Sequence, residues 1–251
     1  MQITNWTREI FEQKIKDDWA AYFESDPREF EKSGSSYLKR EHYAERRMII
    51  AHAGSRTFVQ YHPGVERRIV AFAKLCPPNL AVTADHFLSY FGNQQICVEC
   101  LDHLHYLYPA DLNPPPLAEH YSLRKLTKEN EPLLAGLNNA CTEEEVENSF
   151  VALDELGVWG CFIDDRLVSA AGYSDWGLYA DFGVITHPQH RKGGLAKAVV
   201  AAGCREALEK GKIPIYRCHI TLFPSIRTAA AVGFRKYPRV YFKMEVLKFV
   251  D

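Results

Sequence analysis

Residues 181–210 read DFGVITHPQHRKGGLAKAVVAAGCREALEK and hold the densest set of side chains and glycines with a chemical use. The run opens as an apolar strand with Phe182, Val184 and Ile185, and turns at His187-Pro188. It passes through Arg191, Lys192, Gly193, Gly194, Leu195 and Ala196. It then continues as a helix with Leu195, Ala198, Val199, Ala202 and Ala207 on one stripe. A strand that stops at a glycine-rich basic turn and restarts as a helix leaves the first helical N–H groups without internal partners. Those donors point one way, and the helix dipole adds positive potential there. Two adjacent glycines let a phosphate approach the backbone. The turn therefore reads as a site for a diphosphate; the plainer alternative is an ordinary strand–helix turn with a glycine pair. The nucleotide spacing G-x-x-x-x-G-K-[ST] is absent, and so is the G-x-G-x-x-G of a dinucleotide fold.

Between strand and helix, residues 191–196 read R-x-x-G-x-A. This resembles the acyl-CoA diphosphate loop of the GNAT superfamily, the general N-acetyltransferases, whose pattern is Q/R-x-x-G-x-G/A. The Pro188-x-x-Arg191 entry, the strand before it, the long helix after it and the downstream Gly233-Phe234 pair add to the likeness. It covers the chain from about Tyr121 onward. An extra N-terminal region ahead of such a half also resembles the zwittermicin-resistance type of acetyltransferase. The resemblance implies acetyl-CoA as co-substrate and no metal. It implies that neighbouring strands at 179–186 and 213–218 splay to admit the pantetheine arm, which bonds the backbone of Val184, Ile185 and Thr186. Arg191, Lys192, Gly193, Gly194, Leu195 and Ala196 would hold the diphosphate, with Ser225 at the family's serine position on a late helix. The implied reaction is direct attack of a primary amine of a small molecule on the thioester in a ternary complex, without a protein nucleophile. None of the seven cysteines has a context that indicates activation.

The late helix departs from the family pattern N-x-x-S/A-x-x-x-Y-x-x-x-G-F. Aligned on Gly233-Phe234, Leu222 stands at the asparagine position and Ala229 at that of the tyrosine acid. Tyr216, His219 and Tyr237 are open as replacements, and Tyr216 is the candidate acid. Asp181 and Asp175 are candidate bases; Asp181 is preferred because it shares side-chain parity with Gly183 and Ile185 on the cofactor strand. A solvated or turn-capping aspartate is the alternative for both. Glu143, Glu144 and Glu145 either attract a cationic amine or simply open a helix. The missing tyrosine keeps a second reading in view, an acyl-CoA-binding sensor or scaffold with reduced catalysis. A transferase for other acyl donors such as aminoacyl-tRNA is a third.

Positioning these residues requires an α/β fold. The expected architecture is a GNAT-like mixed, mostly antiparallel twisted sheet flanked by helices, preceded by a smaller α/β domain. The expected division is 1–111 for the N-terminal domain, with a diverged copy of the same plan as one reading of it, 112–118 for a proline-rich linker, and 119–251 for the acetyltransferase domain. In the N-terminal part, residues 1–30 read as helix, 33–37 as loop, and 47–53 and 57–61 as paired strands. Periodicity leaves 65–75 open between strand and helix, and 83–92 reads as helix. The segment 94–108 carries Cys97-x-x-Cys100-x-x-His103-x-His105. Four such ligands in nine residues suggest zinc, but one short segment cannot easily wrap a tetrahedron. A packed helix with buried thiols is the expectation there. Downstream, strands are expected at 122–126, 158–163, 166–173, 179–186, 213–218 and 240–249. Helices are expected after Thr127, from Thr142 to Gly157, from 195, and at 225–232.

The 251 residues are 47% hydrophobic and 25% charged, ample for a core, with a net charge of −2. That balance gives no electrostatic footprint for nucleic acid. No apolar run is long enough to span a membrane, and the first residues lack the apolar centre of a signal peptide. An odd cysteine count among apolar neighbours fits reduced thiols and a cytoplasmic protein. A monomer or homodimer is expected.

Overall fold

The computed structural model describes residues 5–41, 47–236 and 242–249. In chain order the elements are α1 (Arg8–Tyr22), β1 (Gly34–Lys39), β2 (Arg47–Ala53), β3 (Arg56–Tyr61), α2 (Glu66–Ala73), α3 (Ala84–Phe91), β4 (Ile96–Tyr106), β5 (Tyr121–Lys125), α4 (Glu131–Asn138), α5 (Glu143–Ser149), β6 (Gly157–Ile163), β7 (Arg166–Trp176), β8 (Tyr179–Thr186), α6 (Leu195–Glu209), β9 (Ile213–His219), α7 (Phe223–Val232) and β10 (Phe242–Phe249). They form two compact units, each built from discontinuous chain. The C-terminal unit takes Met1–Arg8, His105–Arg217 and Leu222–Arg235; the N-terminal unit takes Glu9–Leu104, Cys218–Thr221 and Lys236–Asp251.

The N-terminal unit carries the strands in the order β1-β3-β2-β10-β4, with β1 parallel to β3 and the other neighbours antiparallel. Met48 and Ile50 alternate inward on β2 and pack with Val59, Phe72, Phe87 and Phe249. Three sequence expectations are corrected or settled here. The loop expected at 33–37 is strand β1, in register with β3 from Gly34↔Arg56 to Lys39↔Tyr61. The open segment 65–75 is helix α2, whose Ile69 and Phe72 are buried. The helix expected at 94–108 is the strand β4. Its helical spacing of Cys97, Leu101 and Leu104 is outweighed by β-branched Ile96 and Val98 and by pairing with β10 from Ile96↔Phe249 to His103↔Lys243. Among the described residues no group of three or more His, Cys, Asp or Glu side chains could hold a metal.

The C-terminal unit has the order β9-β8-β7-β6-β5, antiparallel throughout except for β8–β9. Leu134 and Leu137 of α4 pack on one face with Phe162, Ala170 and Ile185. The other face carries α6, where a Cβ at Gly203 would lie 2.7 Å from the Phe182 ring. Phe182 also meets Phe234, just past the end of α7. Thr127 opens a short 3-10 turn with a capping box to Asn130 before α4, and Thr142 does the same with Glu145 at α5. The helix expected to run to Gly157 stops at Ser149. There Phe150 turns left-handed at φ +50°, and the Ser149 hydroxyl accepts the N–H of Val151.

Glu206 ties α6 to the far edge of the sheet. It accepts from Lys125 Nζ at 2.6 Å, Trp159 Nε1 at 2.7 Å and Lys210 Nζ at 2.7 Å. Burial alone would raise its pKa, but these three donors outweigh that and lower it to about 2. Among the described residues, no helix is long and apolar enough to cross a membrane. A carboxylate with a depressed folded pKa stabilises above its ordinary value and loses that contribution on acidification. Glu206→Gln should therefore cost on the order of 2 kcal/mol at pH 7 in urea unfolding. The gap to wild type should close as pH falls from about 4.5 through about 2. An equal gap at pH 7 and near pH 2 would contradict this assignment.

Candidate functional site

Strand β8 is paired unequally on its two sides. Toward β7 it is paired along its whole length, from Trp176↔Tyr179 to Ser169↔Thr186. Toward β9 it is paired only at Tyr179↔Ile213, Ala180↔Pro214 and Asp181↔Ile215. Among the described residues, the β9 side of the strand has no ladder partner from Phe182 onward. The bond from His187 N–H to the Val168 carbonyl, at 2.9 Å, fixes which residues bond β7. Counting back by two, Ile185, Gly183 and Asp181 direct their N–H and C=O toward β7. Phe182, Val184 and Thr186 direct theirs into the opening. The Ile185 carbonyl also accepts from Ser169 Oγ at 3.1 Å.

Beyond Thr186 the chain makes a 3-10 turn, Pro188–His190, capped by the His187 ring. Burial and the nearby Arg166, His190 and Arg191 charges lower the His187 pKa. The chain then bends through Lys192 at φ +67° and Gly194 at φ +81° into α6. Gly194 is the N-cap and offers no side chain to the first amides of the helix. A Cβ added there would meet no heavy atom within 4 Å, so the space ahead of the amides is open. Leu195, behind the bend, is buried and anchors it.

The Arg191 side chain turns away from that space. Its Nε donates to the Thr186 carbonyl at 3.1 Å, and Nη1 meets Glu145 Oε1 at 2.8 Å. Glu145 is thereby held below its ordinary pKa by Arg191 and by the Thr142 backbone. It closes a capping box and an ion pair at once, so the acidic start of α5 serves as an anchor for the glycine loop. Cys141 lies in the same cluster, its Sγ 3.8 Å from the Thr186 carbonyl oxygen. Burial and the Glu145 charge raise its pKa, against the opposing effect of Arg191.

The other predicted residues fall on both faces. Asp181, on the α4 and α5 face, accepts from Arg217 Nη2 at 3.0 Å. Asp175 of β7, opposite Ala180 of β8, bonds Lys212 Nζ at 2.6 Å. Tyr216 projects to the other face, is buried and packs on Phe234 with ring centroids 5.6 Å apart. His219 makes a local turn with Thr221, Nδ1 to Oγ1 at 2.8 Å. Tyr237 lies outside the described residues. Ser225 is half-buried in the first turn of α7, Leu222 is exposed at its N-cap, and Ala229 is buried.

Two features carry no residue that the sequence reading selected. Gly172 and Gly183 stand directly opposite each other on β7 and β8. A Cβ at Gly183 would lie 1.8 Å from the Ser149 carbonyl oxygen, and one at Gly172 would lie 3.7 Å from Glu155 Cγ. Glycines inside apolar strands signal such a close approach, and that signal was present. Glu155 itself has no spacing that marks it. Burial raises its pKa first, followed by the charges of Asp154 and Asp181. Because Ser149 backbone occupies the Gly183 site, Gly183→Ala should lower stability by about 2–4 kcal/mol in urea unfolding. Unchanged stability would show that the 149–155 segment does not rest on the strand.

The model of the GNAT acetyltransferase family matches residues 159–240. No curated protein matches the sequence significantly. Among solved structures, a tandem GNAT protein from the clavulanic acid biosynthesis pathway is 15% identical with a TM-score of 0.49, over 83% of this chain and 85% of that one. A GCN5-related N-acetyltransferase-like protein from Streptococcus suis is 15% identical with a TM-score of 0.46, over 95% and 99%. An aminoglycoside N-acetyltransferase in complex with CoA is 21% identical with a TM-score of 0.39, over 50% and 95%. At these scores the three likenesses carry no functional weight. The match to the family model covers β7, β8, the glycine bend, α6, β9 and α7, and residues 159–240 thus carry a GNAT acetyltransferase domain.

Proposed function

We propose that the protein transfers an acetyl group from acetyl-CoA to a primary amine of a small molecule, by direct attack within a ternary complex. The observation that carries this reading is the opening of β8 from β9 after Asp181↔Ile215, on the strand that leads into the uncapped N-terminus of α6. The residues present fit the cofactor. The backbone of Val184 and the N–H of Thr186, which have no ladder partner on β9, suit an arm that bonds like an added strand, while the Thr186 carbonyl is held by Arg191. The amides following Gly194 suit a diphosphate. Ile185 would support the arm through its neighbours, since its own polar groups face β7. Arg191 is committed to Glu145 and Thr186, which leaves the phosphates to the backbone of residues 192–196 and to the Lys192 side chain. When bound, acetyl-CoA supplies the acetyl group as an activated thioester.

Strand parity places Asp181 and Tyr216 on opposite faces of the opening. That separation puts carboxylate charge, which suits the amine, on one face and the candidate acid, which suits the departing sulfur, on the other. Ser225, in the first turn of α7, would contact the cofactor from the Tyr216 side. The acceptor is a cationic amine free in solution, and neither a nucleic acid nor a membrane takes part. The reading places the protein in the cytoplasm.

Leu222 and Ala229 favour one second reading, an acyl-CoA-binding module with reduced catalysis, because α7 presents no polar group at either position. Isothermal titration with CoA, joined to thiol release across a panel of amines, decides between them. Binding with turnover is expected; binding without turnover supports the sensor, and no binding contradicts both. Gly194→Ala should cost about 1 kcal/mol of stability through its left-handed φ. By placing a methyl group before the helix amides, it should weaken CoA at least tenfold.

A further inference from the structure

Asp181, the carboxylate nearest the opening by sequence, is already engaged. Arg217 reaches it from β9 at 3.0 Å, and its side chain is 14% exposed. A carboxylate held by a guanidinium is a weak proton acceptor. The neighbouring carboxylate is Glu155. Its Cβ and Cγ lie over the bare backbone of Gly172, 3.9 and 3.7 Å from where a Cβ would stand. Gly172 is opposite Gly183, so Asp181 is its diagonal neighbour on the same face. Gly183 is also the second residue past the last β8–β9 pair, so Glu155, over β7, stands one strand from the opening on the Asp181 face. The N–H of the next residue, Leu156, bonds the Tyr173 carbonyl at 3.2 Å, and the Glu155 N–H bonds the Ala152 carbonyl at 3.3 Å. The backbone that carries Glu155 is thus fixed to the sheet. Among the described residues, no hydrogen bond or ion pair engages its carboxylate.

Resting on the acetyltransferase reading, we propose that Glu155 is the residue that takes the proton from the acceptor ammonium, with Asp181 held by Arg217 as its charged neighbour. The charged groups around it are Asp154 on its own segment, Asp181 on β8 with Arg217 on β9, and Lys210 of α6. The Lys210 ammonium donates to the Leu156 carbonyl at 3.1 Å and to the Tyr173 hydroxyl at 3.1 Å. Half-burial and the adjacent acids raise the Glu155 pKa, which makes it a stronger base than an ordinary glutamate. In the step, the Glu155 carboxylate accepts one proton from the ammonium. The freed amine forms the C–N bond as the thioester C–S bond breaks. The nitrogen loses its second proton to water, the departing thiolate gains one from the Tyr216 face, where water restores it, and Glu155 returns its own proton to water. Asp154, Glu155 and Asp181, against Arg217 and Lys210, leave an acidic excess that suits a cationic acceptor.

Two measurements test this. In the free protein, carbon-detected NMR should show the Glu155 carboxyl titrating above the ordinary glutamate value of about 4.3. It should move down in Asp181→Asn, where one repelling charge is gone. Titration at the ordinary value, or no response to Asp181→Asn, overturns the proposal. In acetyl transfer to amines, Glu155→Gln should lower kcat roughly 100-fold and abolish the acidic limb of the pH profile. Its CoA affinity should stay within twofold of wild type. Wild-type kcat in Glu155→Gln overturns the assignment, as does a wild type that binds CoA but acetylates no amine. Failure of the wild type to bind CoA strikes the acetyltransferase reading itself.

Discussion

The C-terminal unit is organised by one asymmetry in hydrogen bonding. Strand β8 satisfies its backbone toward β7 over its full length and toward β9 over three residue pairs only. Buried backbone groups are almost always paired, so a strand that leaves one edge open inside a sheet holds a place for another chain or ligand. The opening faces no side-chain substitute from within β8, because the residues that direct backbone into it are Phe182, Val184 and Thr186. It is followed, after the Pro188–His190 turn and the glycine bend, by a helix start that has no capping side chain. In the proposed function, these two features together would accept an extended arm and an anionic end, in that order.

Much of the surrounding structure can be understood as holding that opening in shape. Arg191 joins the carbonyl at the end of β8 to Glu145 at the start of α5, so the glycine bend is fastened to the helix on the opposite face. Glu206 fastens the body of α6 to β5 and β6. Gly172 and Gly183 allow the segment after α5 to lie flat on the sheet, with Ser149 backbone where a side chain would be. Each contact constrains a different element around β8, and of the backbone directed toward β9 only the Thr186 carbonyl, held by Arg191, is taken up by them.

The elements around the glycine bend were legible because several signals agree there. Apolar alternation predicts β8, the His187-Pro188 turn ends it, and the stripe from Leu195 to Ala207 predicts α6. The departures on α7 were also visible, as Leu222 and Ala229. Less was legible where local pattern and pairing disagree. The spacing of Cys97, Leu101 and Leu104 suits a helix, yet partners on β10 make the segment a strand. Residues 33–37 look like a polar loop, and only β3, some twenty residues later, makes them a strand. Glu155 could not be found from sequence, since its position depends on two glycines that lie in β7 and β8. The commitment of Arg191 to Glu145 is likewise a long-range pairing that no motif encodes.

Amide hydrogen exchange, residue by residue with and without acetyl-CoA, tests the central claim most directly. The account predicts that Val184 and Thr186 exchange readily in the free protein and become strongly protected on binding, together with the amides of Leu195 and Ala196. The amide of Ile185, bonded to β7 in both states, should change little. Equal exchange at Val184 and Thr186 in both states, in the presence of bound acetyl-CoA, would contradict it.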